Sequence, residues 1–125
     1  MKGLTLDAGA LIALERADRR VIAWIDEIID AGLGLAVPAG ALGQVWRDGA
    51  RQVRLVRLLA SDAVELCALD GQRAKEAGAL CGLRRTNDVI DASVVLCARA
   101  RGHGVVTSDP FDLRRLDAAL KLLVI

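Results

Sequence analysis

Five short runs of β-prone apolar residues, GLTL, LGLAV, AVELCAL, GVVTS and KLLVI, recur along the chain, and helically spaced sequence fills every interval between them. Strands separated by helices cannot pair as tight hairpins. Each helix instead carries the chain back to the same end of the sheet, which makes the sheet mainly parallel and covers both of its faces. A length of 125 residues suits one hydrophobic core. The sequence therefore predicts a single α/β/α sandwich over residues 1–125, with a mainly parallel sheet of about five short strands. Among the helices, DRRVIAWIDEIIDAG is the clearest, with Asp18 as N-cap, Gly32 as the stop and a stripe of Val21, Ile22, Ile25, Ile28 and Ile29. AGALGQVWRDGARQVRLVRLLA reads as one helical region bent near Gly49.

In such a sheet, right-handed crossovers gather the loops that follow parallel strands along one edge, where ligands bind. Asp7 ends the first strand and Asp109 ends the fourth, so both fall at that edge. Asp88 and Asp91 sit three residues apart at the start of a later helix and project from neighbouring positions on one face. Asp112 follows Asp109 by the same interval. Two readings compete for these acids. Taken singly, each has a helix-start explanation, because carboxylates there satisfy orphan N–H groups and the helix dipole, worth ~0.3–1 kcal/mol. Taken together, carboxylates crowded on one edge resist ionisation unless a cation joins them, and an all-oxygen set suits Mg²⁺ or Mn²⁺. Metal-assisted hydrolysis of a phosphodiester is then the chemistry this inventory supports.

Other residues narrow the alternatives. Cys67, Cys81 and Cys97 form no C-x-x-C pair and His103 is the lone histidine, which argues against zinc and against nucleophile–histidine catalysis. The cysteines read as three small buried hydrophobes in a reducing compartment. No apolar run approaches the ~18 residues of a membrane helix, and MKGLTLDAG has no cleavable apolar leader, so a cytoplasmic protein that avoids the membrane is expected. A net charge of +1 offers no bulk attraction to nucleic acid. A local patch remains open, since only three of the 17 basic residues are lysines and arginine grips phosphate bidentately. Arg47, Arg51, Arg54 and Arg57 are spaced four, three and three residues apart. They read either as a solvated helix face or as a stripe that binds RNA phosphates or an acidic partner segment, and Arg84 and Arg85 invite the same two readings.

The segments LTLDAGALIAL, PAGALGQVWRDGARQVRLVRLL and NDVIDASVVLCARARGHGVVTSDPFDLRRL resemble, in order and spacing, the PIN domain, in particular the compact toxin subunits of VapBC-type toxin–antitoxin pairs. The resemblance spans nearly the whole chain. It implies a Mg²⁺- or Mn²⁺-dependent endoribonuclease, usually homodimeric, neutralised by a cognate antitoxin. By position, Asp7, Asp91 and Asp109 match the family's principal catalytic and metal-binding acids, and Asp88 and Asp112 match positions that are often acidic. One position departs: Gln44 stands where a glutamate is usual, and its amide can ligate or orient but brings no charge. Ala8 and Gly9 also replace the hydroxyl residue that commonly follows the first acid. Those departures keep a second reading open, a PIN-fold module that engages antitoxin or RNA without cleaving. Receiver and haloacid-dehalogenase-like folds fit less well, since no lysine follows the fourth strand and no second acid lies two residues after Asp7.

Overall fold

The structure is a computed structural model that describes all residues, Met1–Ile125. Its order is β1 (Gly3–Leu6), α1 (Ala8–Glu15), α2 (Arg19–Asp30), β2 (Gly34–Pro38), α3 (Ala39–Val45), α4 (Val53–Ala60), β3 (Val64–Cys67), α5 (Gly71–Arg84), α6 (Val89–Arg101), β4 (Gly104–Thr107), α7 (Pro110–Leu116) and β5 (Leu122–Val124). All five strands expected from the sequence form, and they make one parallel sheet in the order β3-β2-β1-β4-β5. Central β1 and β4 are buried along their whole length, whereas edge strands β3 and β5 are partly open. That gradient is the signature of a parallel sheet covered on both faces.

Alternation along the strands divides the interior in two. Leu4, Leu6 and Val106 face a core built with α1, α2 and α4, in which Leu11, Val21, Ile25 and Leu55 are buried. Val105 faces the other way, into a core of Ala77, Leu80, Val94, Val95, Leu113 and Leu116 from α5, α6 and α7. Truncating a fully buried leucine such as Leu11 to alanine costs about 2–5 kcal/mol in sites of this kind. Helix ends follow local chemistry. Asp18 accepts from the Arg20 and Val21 amides at 2.9 and 3.3 Å to start α2, and Gly102, with φ +67°, closes α6 in the left-handed conformation that glycine adopts without strain.

The region expected as one bent helix is two helices with residues 46–52 between them. Gln52 explains the break. Its Oε1 accepts from the Arg47 and Asp48 amides at 2.8 and 3.0 Å, and its Nε2 donates to the Val45 carbonyl at 3.0 Å. A side chain thus takes the backbone groups that a continuous helix would have paired. Arg47 and Arg51 therefore lie on the connection and only Arg54 and Arg57 on α4, so the four arginines do not form a single helical stripe.

No helix is long and apolar enough to cross a membrane.

Candidate metal centre

From β1 the chain builds outward through β2 to β3, then crosses back to lay β4 on the other side of β1 and continues to β5. The strand order thus reverses between β1 and β4, and the crevice beyond their carboxyl ends is the place where open α/β sheets bind ligands. Asp7 directly follows β1, and Asp109 lies two residues beyond the end of β4. α6 starts at the same edge and brings Asp91, while α7 brings Asp112. Carboxylate oxygens of Asp91, Asp109 and Asp112 all lie within 4.8 Å of one another.

The remaining two acids flank this trio. Asp88 is the N-cap of α6, its Oδ1 accepting from the Asp91 amide at 2.9 Å, and its carboxyl also contacts that of Asp91. Asp7 is buried, caps α1 by accepting from the Ala10 amide at 2.9 Å, and lies close enough to Asp109 for the two charges to repel. Helix capping accounts for part of what Asp7 and Asp88 do. It does not account for Asp109, which occupies the N-cap position of α7 but makes no capping hydrogen bond.

The electrostatics follow from this crowding. Burial, then the charge and hydrogen bond of Asp88, then the charges of Asp112 and Asp109, push the Asp91 carboxyl from 3.8 up to about 7. Asp112 is exposed, yet its carboxyl is raised by the hydrogen bond and charge of Asp109, with Arg115 opposing. Burial raises the Asp7 carboxyl, while the Thr107 hydroxyl and the Ala10 amide pull it back. Acids held this close without matching cations resist their own ionisation. The donor set is oxygen only, anionic and convergent, and so fits a hard divalent cation.

Thr107 was not singled out from the sequence. It is fully buried, its Oγ1 accepts from the Asp109 amide at 2.9 Å, and its hydroxyl proton serves the Asp7 carboxylate. One hydroxyl therefore orients two acids from different loops. The hydroxyl absent after Asp7 is supplied from β4 instead, and Gly9 makes room, since a Cβ there would lie 2.0 Å from Ser108 Oγ and 2.9 Å from Ser108 Cβ. The available signal was the pair of hydroxyl residues, Thr107 and Ser108, just before Asp109.

Gln44 is the one site candidate that brings no charge. It is exposed on α3 and lines a cleft with Ile12, Glu15, Arg16, Arg47 and Gln52. Arg47 and Arg51 are exposed on the 46–52 connection, with Arg51 3.8 Å from Asp48. Arg54 and Arg57 border a cleft with Ile22, Ile25 and Ile29 of α2. Arg85 adopts a left-handed φ of +56°, and its carbonyl accepts from Arg115 Nη2 at 3.0 Å.

No family model and no curated protein sequence matches this chain. Solved structures do. VapBC2 from Rickettsia felis, bound to a DNA fragment from its promoter, superposes with a TM-score of 0.72 at 13% identity, covering 98% of each chain. FitAcB from Neisseria gonorrhoeae gives 0.63 at 16% identity over 96% of each chain. FitAB bound to an IR36 DNA fragment gives 0.63 at 15% identity, covering 97% of this chain and 94% of that one. The likeness is one of fold, end to end: the chain adopts the PIN-like sandwich that its sequence resembles.

Proposed function

We propose that this protein is a Mg²⁺- or Mn²⁺-dependent endoribonuclease acting as the toxin of a toxin–antitoxin pair. The observation that carries the reading is the convergence of the Asp91, Asp109 and Asp112 carboxylates within 4.8 Å, beside buried Asp7, at the strand switch point. Asp7, Asp91 and Asp109 are the principal ligands, Asp112 completes the rim, and Asp88 fixes the start of α6 while adding negative charge. When bound, a divalent ion there supplies Lewis acidity toward water and toward a phosphoryl oxygen. The chain's own residues do the positioning. Thr107 keeps the Asp7 and Asp109 loops in register, and the α6 amide held by Asp88 sets the Asp91 backbone. Gln44 marks the outer approach as a neutral polar group.

The arginines and their apolar neighbours fit a protein partner. Trp46, Val53 and Val56 are exposed, an added Cβ at Gly49 would lie 3.2 Å from Trp46 and 3.6 Å from Val56, and Arg47, Arg51 and Arg54 alternate with them along the same stretch of chain. Such a mixed apolar and basic surface suits an amphipathic, acidic antitoxin segment, with the arginines also available to RNA phosphates. Leu83 and Phe111, 74% and 85% exposed, offer apolar surface to a second copy in a homodimer.

The experiment is a cleavage assay on a mixed RNA substrate with Mn²⁺, using the parent chain and Asp7→Asn. Metal-dependent cleavage that the substitution abolishes supports the reading. A second reading, a binding module without cleavage, is favoured by the neutral Gln44; intact RNA together with retained antitoxin binding would establish it.

A further inference from the structure

Cys67 and Cys97, thirty residues apart in sequence, are not isolated hydrophobes. Cys67, at the end of edge strand β3, and Cys97, in the penultimate turn of α6, place their sulfurs 2.8 Å apart. We propose that Cys67 and Cys97 form a modification site, a dithiol that a peroxide converts to an intramolecular disulfide tying β3 to α6. The sulfurs need approach by less than about 1 Å to reach the ~2.05 Å of a disulfide bond. A fork of hydrogen bonds already joins the same two elements. Arg101 donates to Glu65 of β3 through Nε and Nη2 at 3.0 and 2.5 Å, and through Nη1 to the Cys97 carbonyl at 3.0 Å. Both sulfur-bearing residues line a cavity of about 240 Å³, ample for a peroxide when a water molecule's share of liquid is ≈ 30 Å³.

The chemistry assigns different parts to the two thiols. The hydrogen bond shared with Cys67 lowers the Cys97 thiol despite its burial, and Arg101 helps, while Cys67 is raised by the same contact. Cys97 is thus the sulfur that ionises. Its thiolate attacks one oxygen of the peroxide, the O–O bond breaks, and a sulfenic acid forms as the departing oxygen leaves as water. The Cys67 sulfur then attacks Cys97, forming the S–S bond and breaking the S–O bond, and a second water leaves with the Cys67 proton. In sum, two thiols lose two electrons and hydrogen peroxide becomes two waters. A dithiol reductant reverses the change. Cys81, buried on α5 and raised by its burial and by the Asp88 and Asp91 charges, has no sulfur partner and is the internal control.

The test treats the full-length protein with a small excess of hydrogen peroxide, then denatures it and counts thiols with a maleimide. The proposal predicts a fall from three reactive thiols to one, the loss of two hydrogens by intact mass, and one crosslinked peptide containing Cys67 and Cys97. Closing a loop of this span raises Tm by roughly 10 °C, an increase that dithiothreitol removes. Cys67→Ser and Cys97→Ser should each show neither crosslink nor rise, with Cys81→Ser unaffected. Three thiols remaining after treatment, oxygen addition without a crosslink, or linkages that involve Cys81 would each overturn it, and the first two can be read on the unmutated chain.

Discussion

The two ends of α6 treat charge in opposite ways. At its N-terminus Asp88 and Asp91 crowd Asp109 and Asp112, and the Asp91 carboxyl is driven up to about 7. At its C-terminus Arg99 pairs with Asp117 at 2.8 Å and Arg101 with Glu65 at 2.5 Å. There the Arg101 hydrogen bond lowers the Glu65 carboxyl, and Arg99, against the burial that raises Asp117, brings it below its ordinary range. Both ends satisfy the helix dipole, which favours acids at the start and bases at the finish. Only the C-terminal end closes its acids into ion pairs with the protein's own arginines. The other leaves its carboxylates crowded against one another, an arrangement that a cation from solution would balance under the proposed function.

Substitutions break this comparison in graded ways. The largest effect falls on Asp91→Asn, which should lower Mn²⁺-dependent RNA cleavage on the order of 100-fold or more in a gel assay while leaving the chain folded. Thr107→Val comes next. It leaves the part-buried Asp109 amide without its partner and removes a donor from buried Asp7, so thermal unfolding should report a loss of about 1–3 kcal/mol, and Mn²⁺ affinity should fall about 10- to 100-fold.

pH sharpens the same contrast. Because the folded chain holds a proton on Asp91 up to about 7 that the unfolded chain releases near 3.8, the folded state binds more protons across that window. The stability of the metal-free protein should therefore fall as pH rises from 4 to 7, with buried Asp7, raised in the same direction, adding to the slope. Scanning calorimetry across that range should show Tm falling, a flatter profile in Asp91→Asn, and recovery with Mn²⁺. A Tm that climbs steadily through this window would show that the acids are already compensated. The smallest effect belongs to the other end: Glu65→Gln exposes only a surface ion pair, so unfolding should shift by no more than about 1 kcal/mol and Mn²⁺ binding should not change.

Features set by local patterning are legible in the sequence alone. The five strands follow from apolar runs and the start of α2 from Asp18 and its stripe, while the placement of Asp7 and Asp109 at one edge follows from the parallel topology. Contacts made across the sheet were not readable. Thr107 serves Asp7 only because β4 lies beside β1, an adjacency created by the long crossover from β3. The Cys67–Cys97 contact depends on the same packing of α6 against the sheet. The split between α3 and α4 was missed for the opposite reason, since apolar spacing continues across it while the polar side chain of Gln52 takes over the backbone hydrogen bonds. The Asp88–Asp91 pair divides along the same line. Capping was legible at Asp88, whereas the pressure on Asp91 comes from its burial in the fold and then from Asp88 itself, with Asp112 and Asp109 adding to it across the site.

The central claim is that the acid end of α6 is a divalent-cation site, and calorimetric titration of Mn²⁺ into the chelator-treated protein at pH 7.5 tests it most directly. The account predicts a saturable binding heat with at least one ion per chain, lost in folded Asp91→Asn and unchanged in Glu65→Gln. No binding heat in the parent, or equal binding in Asp91→Asn, would contradict it.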